Sequence, residues 1–174
     1  MQGLIKTEAV ILRKRQLLNK DFLITLFTEE KGKIGVMAKG ARDIKSRRLS
    51  ALMTGNLVTV ILSAHHDRLY LQEARIISLF SSIKKDEIKH KTLYLFLYLF
   101  DSLLPEGQRE PEAYILQKNI LVEPAKKGLE QDRVMFYLRG LLKIVGYATE
   151  TDTFSQMISS IEEIIGKKIP AYII

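Results

Sequence analysis

The chain has 174 residues, of which 47% are hydrophobic and 27% charged, proportions that fit a folded globular protein and exclude an intrinsically disordered one. It has no cysteine, so disulfides and thiolate metal sites are excluded. The longest apolar run, Leu93–Phe100, is far shorter than the ~20 residues needed to cross a bilayer, and residues 1–7 lack the apolar run of a secretory signal. We therefore expect a cytoplasmic protein without a membrane anchor.

The positive charge is distributed unevenly along the chain. The formal net charge is +7; residues 1–82 contain 14 Lys and Arg against 7 Asp and Glu, whereas residues 83–174 contain 13 against 13. All of the excess positive charge therefore lies in the first half. This asymmetry favours a polyanion such as nucleic acid as a partner of that half, with a solvated basic surface as the alternative.

Five segments of the first half are predicted to be strands, because they are rich in β-branched, aromatic and other apolar residues and are separated by Gly, Asn, Ser and charged residues. Between the second and third of them, Gly32 is expected to supply the positive φ of a tight hairpin. Five short strands with such turns fit a small sandwich or barrel. The predicted strands are Glu8–Arg13, Leu23–Thr28, Ile34–Ala38, Leu57–Leu62 and Arg68–Ile77.

The second half has a helical period of hydrophobic residues. Helices are predicted over 85–104, 111–121 and 129–145, and a last one from a cap at Asp152 or Thr153 to Gly166. Strands followed by helices indicate an α+β chain, or an all-β module followed by an all-α one. We place the domains at residues 1–80 and 85–174.

The segment 33–48 is the most distinctive in the chain, with six basic residues and one acidic residue. A basic loop that follows a strand and contains Gly40 suits a sugar-phosphate backbone, because lysine, arginine and nearby backbone N–H groups all bind phosphate. A solvated turn is the alternative. The first candidates for phosphate contacts are Lys39, Arg42, Lys45, Arg47 and Arg48, and the second candidates are Lys33, Arg13 and Arg15.

Other candidate site residues are weaker. Phe22, Phe27 and Tyr70 are candidates for base stacking, although an aromatic residue in a short strand more often belongs to the core. The run His65-His66-Asp67 indicates a polar hairpin tip rather than a metal site, because three adjacent positions rarely converge on one ion. No phosphate-binding loop or nucleophile elbow is present, so we predict a non-enzyme with no cofactor and no metal.

The order and spacing of several short motifs resemble the RecO family. The resemblance covers residues 1–80 well and residues 85–147 more loosely. Its best marker is the family stretch AKGARxxKSR, which is matched by Ala38–Arg47. The other matching features are the strand Glu8–Arg13, an acidic turn residue at Asp21, the strand Leu23–Thr28, the turn Gly32-Lys33, LQEA at Leu71–Ala74, and LLxxxGY at Leu141–Tyr147.

This resemblance implies an N-terminal five-stranded OB-fold barrel followed by an all-α helical domain. It implies DNA recombination and repair at the nucleoid: binding of single- and double-stranded DNA, strand annealing, and help in loading RecA onto strands coated by single-stranded-DNA-binding protein (SSB), with RecR as co-mediator. In this family the acidic, apolar tail of SSB docks on the helical domain. Arg133, Arg139 and Lys143 are the candidate receivers of its carboxylates, with a solvated helix face as the alternative.

Many members of that family carry a four-cysteine zinc module after the GY position, whereas this chain has no cysteine. We therefore expect a short form of the family without zinc. The alternative function is a protein-interaction scaffold that contacts SSB or RecR without binding DNA. An enzyme acting on nucleotides or RNA is disfavoured, because the sequence shows no convergent acid, base or metal set.

Overall fold

The structure is a computed structural model that describes residues 3–18, 21–40, 48–126, 131–147 and 153–173. The chain forms two compact units, one of residues 1–79 and 105–111 and the other of residues 80–104 and 112–174. The first unit contains the strands and the second the longer helices. Among the described residues, no helix is both long and apolar enough to span a membrane.

The strands of the first unit form a closed barrel in the order β1-β2-β3-β5-β4. The pairing of β3 with β5 is parallel, and the other four pairings are antiparallel. A five-stranded barrel with this order is the OB-fold, so the predicted fold class is confirmed. The strands are β1 (Leu4–Gln16), β2 (Phe22–Thr28), β3 (Gly32–Ala38), β4 (Leu57–His65) and β5 (Arg68–Ser78).

The barrel core follows from the alternation of side chains along each strand. In β3, Ile34, Val36 and Ala38 are buried, whereas Lys33 and Met37 on the opposite face are only half-buried. The inner faces of all five strands contribute to one hydrophobic cluster, which α1 (Arg48–Ala51) and the following Leu52 complete. The sequence did not predict this short helix.

A β-bulge in β1 decides which way its basic residues point. Ile11 is paired with Leu26 and Arg13 with Thr25, so Leu12 is an extra residue without an opposite partner on β2. The side-chain alternation is therefore reset after Ile11, which is fully buried. Because directly paired residues share a face, the bulge turns Arg13 and Arg15 to the outer surface of the barrel.

In the second unit, all four helices predicted from the sequence are confirmed. The last one begins at Thr153, which forms a capping box with Gln156, and ends at Gly166, whose φ is 66°. Met157 and Ile161 are fully buried, so this helix belongs to the core of its own unit. The helices are α2 (Ser81–Lys85), α3 (Glu87–Leu103), α4 (Pro111–Lys126), α5 (Gln131–Ile144) and α6 (Phe154–Ile165), followed by a 3-10 helix (Ala171–Ile173).

The residues between α3 and α4 pack with the barrel. Within this 105–111 strap, the Gly107 N–H donates to the Lys33 carbonyl at 2.7 Å, and a Glu106 carboxylate oxygen accepts the Gly35 N–H at 3.2 Å. At the hairpin, a Cβ on Gly32 would lie 1.7 Å from the Gln108 carbonyl oxygen. The strap therefore requires glycine at this turn for two reasons, the close approach and the positive φ of 63°.

We expect Gly32→Ala to destabilise the first unit more than Gly107→Ala does. Both glycines have positive φ, which costs an alanine about 1–2 kcal/mol. Only Gly32 also faces a backbone atom, since nothing lies within 4 Å of a Cβ built on Gly107, and the clash adds about 1–3 kcal/mol. Urea denaturation of both variants, followed by circular dichroism, measures the difference. Equal losses in the two variants would contradict the close approach.

Candidate nucleic-acid interface

One row of side chains crosses the outer surface of the barrel from β1 to β4. It is built by direct pairing: Arg15 with Leu23, Leu23 with Met37, Met37 with Tyr70, and Tyr70 with Ser63. Because paired residues point to the same side, these five side chains lie side by side. Adjacent strands are ~4.8 Å apart, so the row places the Arg15 and Tyr70 backbones about 14 Å apart along the sheet.

The β4–β5 end of this outer row opens into a groove of about 410 Å³, which we call the Tyr70 groove. The Lys39 ammonium lies 4.8 Å from the centroid of the Tyr70 ring, and the His65 ring centroid lies 6.4 Å from it. The groove therefore combines a positive charge, two rings and amide and hydroxyl groups. It is lined by Met37, Lys39, Ser63, His65, Tyr70, Leu71 and Gln72.

A second bulge shapes this groove. Ile61 is paired with Glu73 and Leu62 with Leu71, so Gln72 is an extra residue of β5. Its side-chain amide donates to the Ser63 hydroxyl at 2.7 Å. The bulge thereby adds a polar side chain that regular alternation would not place there.

Asp21 fixes the backbone next to Lys39. Its carboxylate accepts the Gly40 N–H at 2.8 Å, and its own carbonyl accepts the Leu17 N–H at 2.9 Å. Gly40 has a φ of 59°, which favours glycine at this turn. The loop before β2 and the turn after β3 are therefore joined by one charge-assisted hydrogen bond.

The three basic residues near the end of β1, Arg13, Lys14 and Arg15, separate into two groups. Arg13 and Arg15 are exposed on the outer face, as required of a phosphate contact. Lys14 is paired with Ile24 of the core, on the opposite face of β1 from Arg13 and Arg15, and its ammonium lies 5.1 Å from the Phe22 ring centroid. Burial lowers the pKa of Lys14, in keeping with this position.

The other predicted phosphate contacts are placed differently. Arg42, Lys45, Arg47 and the side chain of Arg48 lie outside the described residues, so Lys39 is the member of that cluster with a described position. Lys33 is at the opposite end of β3, about 20 Å from Lys39 along the strand. The described structure thus brings Lys39 into one outer surface with Arg13 and Arg15, and it places Lys33 beside the strap.

The three candidates for base stacking differ in how far they are buried. Phe22 and Phe27 are buried, whereas Tyr70 is half-buried and lines the groove. His65 ends β4, and His66, with a φ of 52°, forms the turn with Asp67, so the predicted polar hairpin tip is confirmed. Within the described part of the chain, no group of three potential metal-ligating side chains converges.

In the helical unit, the three predicted partner residues lie around an exposed aromatic side chain, Phe136. The spacing along α5 puts Arg139 and Lys143 on one side of Phe136 and Arg133 on the other. Arg133 forms a bidentate ion pair with Glu123, with its shortest N–O distance at 2.6 Å, and this hydrogen bonding raises the pKa of its guanidinium. Phe136 is 56% exposed.

Sequence reasoning named Asp21 but did not predict its bond to Gly40, and it did not single out Phe136, Gln72 or Ser63. Asp21 had a detectable signal, because an aspartate before a strand commonly binds nearby backbone N–H groups. Phe136 falls on the helical face of Asp132, Arg139 and Lys143, so a helical projection would have identified it as exposed. Gln72 and Ser63 had no local signal, since their positions depend on a bulge and on strand pairing.

We expect Asp21→Ala to expose the Gly40 amide to solvent exchange, whereas Asp21→Asn retains a side-chain oxygen that can accept the hydrogen bond. Loss of the bond removes the protection of that N–H and allows the turn after β3 to open. Amide exchange of Gly40 followed by NMR measures this effect, with the Gly107 amide, bonded to Lys33, as the internal control. Unchanged Gly40 exchange in Asp21→Ala would show that Asp21 does not hold the turn.

Comparison with known proteins agrees with this architecture. Residues 1–80 match the family model described as "Recombination protein O N terminal". Proteins named "DNA repair protein RecO" match over longer stretches. The one from Caldanaerobacter subterraneus is 27% identical over 150 residues, covering 86% of this chain and 61% of the relative. The one from Bacillus pumilus is 30% identical over 158 residues, with 86% and 58% covered.

A third relative, from Salinibacter ruber, is 34% identical over 118 residues, covering 66% of this chain and 45% of that protein. The chain thus spans less than two thirds of the length of the relatives it matches. The family-model match identifies residues 1–80 as a RecO N-terminal domain, and the longer matches extend the similarity to proteins named "DNA repair protein RecO" into the helical unit.

Proposed function

We propose that this chain is a DNA-binding recombination mediator that holds the DNA backbone along the outer row of its barrel. The main support for the proposal is the row itself, which connects Arg15 on β1 to the Tyr70 groove, where the Lys39 ammonium lies over the Tyr70 ring. OB-folds commonly bind oligonucleotides on the β2–β3 face and at the β4–β5 loop, which are the parts of this barrel that the row and groove occupy. Contacts to phosphate with few contacts to base edges suit a mediator that binds without sequence preference.

The charge distribution supports the same surface. All of the excess positive charge belongs to residues 1–82, which include the barrel strands. Lys39 lines the Tyr70 groove, and the next residue, Gly40, donates its N–H to Asp21. Arg42, Lys45, Arg47 and Arg48 follow directly in the sequence, and we propose that they extend the phosphate contacts of Lys39. Lys33 remains a candidate for contact at the other end of β3.

A second depression on the barrel is a poorer DNA site. It is lined by Lys6, Thr59, Ile61, Glu73 and Arg75, and has a volume of about 240 Å³. The depression contains two cationic side chains, Lys6 and Arg75, and the Arg75 guanidinium is already paired with the Glu73 carboxylate at 2.7 Å. This favours the Tyr70 groove and the outer row as the path of the backbone.

The similarity to RecO proteins supports a wider activity. We propose that the protein acts at the nucleoid, binds single- and double-stranded DNA, promotes strand annealing, and helps to load RecA onto SSB-coated strands together with RecR. We propose that it does this without catalysis, cofactor or metal, since binding and release of strands are sufficient for annealing. The relatives are named as DNA repair proteins, which supports this assignment.

We expect the variant Arg15→Gln/Lys39→Gln to bind a single-stranded oligonucleotide more weakly and with a flatter salt dependence. Each lost phosphate contact lowers the slope of log K against log salt by about 0.7, so the double variant should lose about 1.4. Fluorescence anisotropy across a salt series measures both quantities. Lys85→Gln/Lys89→Gln is the control, because it removes the same charge from the helical unit.

If the control variant loses as much slope as Arg15→Gln/Lys39→Gln, binding depends on net charge and the outer row is not the interface. If the wild-type protein binds no DNA even at low salt, the DNA-binding function itself is wrong. A parallel Lys33→Gln variant decides whether the contact extends to the hairpin end of β3.

A second candidate function, docking of a protein partner on the helical unit, is favoured by Phe136. An exposed ring beside Arg139 and Lys143 suits a short peptide with both apolar and acidic residues, such as the tail of SSB. The scaffold function that lacks DNA binding would rely on this surface alone. Arg133 is paired with Glu123, so we propose that it orients the Phe136 ring, which lies 5.3 Å from its guanidinium carbon.

We expect Phe136→Ala to weaken binding of a synthetic acidic, apolar tail peptide of SSB by about tenfold, the loss typical of a central aromatic contact. Arg139→Gln/Lys143→Gln should weaken it as well, with a strong dependence on salt. Isothermal titration calorimetry measures these affinities, and Lys85→Gln/Lys89→Gln again serves as the charge-matched control. Undiminished peptide binding by Phe136→Ala would exclude this face of α5.

A further inference from the structure

We propose that the Tyr70 groove receives one unpaired nucleobase, so that the barrel prefers single-stranded DNA and Tyr70 is the residue that determines this preference. The inference rests on the proposed DNA-binding function and deepens it. It assigns a role to the ring, whereas the outer row alone would bind the backbone of either form of DNA. The argument uses only residues of the first unit.

The size and lining of the groove suit a single base. Its volume of about 410 Å³ is of the size of small-ligand sites, so it can accept one planar group but not a base pair with both backbones. The Tyr70 ring offers a flat face, and Met37 beside it in the outer row is an apolar, adaptable side chain. The site thus has an aromatic platform and an apolar wall, the arrangement on which bases of single strands stack.

The polar groups of the groove fit the edge of a base. Gln72 and Ser63 satisfy each other at 2.7 Å, and either can exchange this bond for one to a ring nitrogen or a carbonyl of the base. The amide of Gln72 can donate and accept, so it suits more than one kind of base. The groove is therefore expected to bind any unpaired base and not to distinguish one base from another.

Lys39 links the base to the backbone. Its ammonium lies over the Tyr70 ring at 4.8 Å, a cation–π contact at an exposed position. Stacking of a base on the ring is the stronger interaction, so a base displaces the ammonium. The displaced ammonium is then on the outer side of the groove, next to the turn held by Asp21, where it can bind the phosphate of the same nucleotide.

Duplex DNA cannot make this contact, because its bases are paired and stacked and present only their edges in the grooves. A base must leave the stack to reach the Tyr70 face, which costs energy in a duplex and much less in a single strand. The proposed preference for single strands therefore comes from one stacked base and not from additional charge.

The test is a photocrosslink combined with affinity measurements. A single-stranded oligothymidine that carries 5-iododeoxyuridine is irradiated with the wild-type protein and digested with trypsin. Cleavage after Arg68 and Arg75 gives the peptide Leu69–Arg75, in which Tyr70 is the only aromatic residue. We expect the crosslinked nucleotide on this peptide.

In parallel, Tyr70→Leu should bind oligothymidine about tenfold more weakly than the wild type does. Its affinity for an abasic oligonucleotide of the same length, and for a duplex, should fall by much less, because neither ligand can stack an unpaired base on the ring. Tyr70→Phe keeps the ring and should bind as the wild type does. Tyr172→Leu, at an exposed tyrosine of the helical unit, is the matched control.

The outcomes separate the two proposals. Wild-type binding to DNA with no crosslink on Leu69–Arg75, and with equal affinities of Tyr70→Leu and wild type for oligothymidine, overturns the base pocket and leaves backbone binding intact. No binding of any DNA by the wild type overturns the proposed function. The crosslink is measured on the wild-type protein, so it decides the question even if Tyr70→Leu fails to fold.

Discussion

The parallel pairing between β3 and β5 closes the barrel, and the Tyr70 groove of the candidate interface depends on it. Among the residues that the structure describes, two pairs form this ladder, Val36 with Leu69 and Met37 with Tyr70. The first pair points inward to the core and the second outward to the surface. The same closure that seals the hydrophobic cluster therefore puts Tyr70 beside Met37 and under the ammonium of Lys39. The hydrophobic core and the groove share the β3–β5 contact, so a substitution that separates these two strands disrupts both.

Two bulges then decide which side chains reach the outer surface. At Leu12 the bulge brings Arg13 and Arg15 outward, and at Gln72 it adds an amide to the groove. Bulges are frequent next to functional sites because an extra residue redirects the side chains that follow it. In this barrel, both lie on strands that contribute to the row, so the binding surface combines regular pairing with two local departures from it.

The dependence of the surface on bulges and strand pairing also explains which features could be predicted from the sequence and which could not. The strands and the main helices followed from hydrophobic period and turn residues, which are local properties, and the structure confirms them. The outward direction of Arg13, the contact of Gly32 with Gln108 and the meeting of Lys39 with Tyr70 depend on residues far apart in the chain. No local pattern encodes them. The resemblance of Ala38–Arg47 to a known family supplied the nucleic-acid hypothesis that periodicity alone could not.

The two halves of the chain differ in net charge, which suggests that they bind different kinds of ligand. The first half of the chain carries the whole excess charge, so its field can attract a long polyanion. The second half is balanced, with 13 basic and 13 acidic residues, and Arg133 is matched locally by Glu123. At physiological salt, screening acts over about 8 Å, so Arg139 and Lys143 influence only a ligand that is already in contact. A short acidic peptide anchored by Phe136 meets that condition, whereas a long DNA strand is better served by the barrel. The two proposed sites can therefore act at the same time, because each selects its ligand by a different physical property.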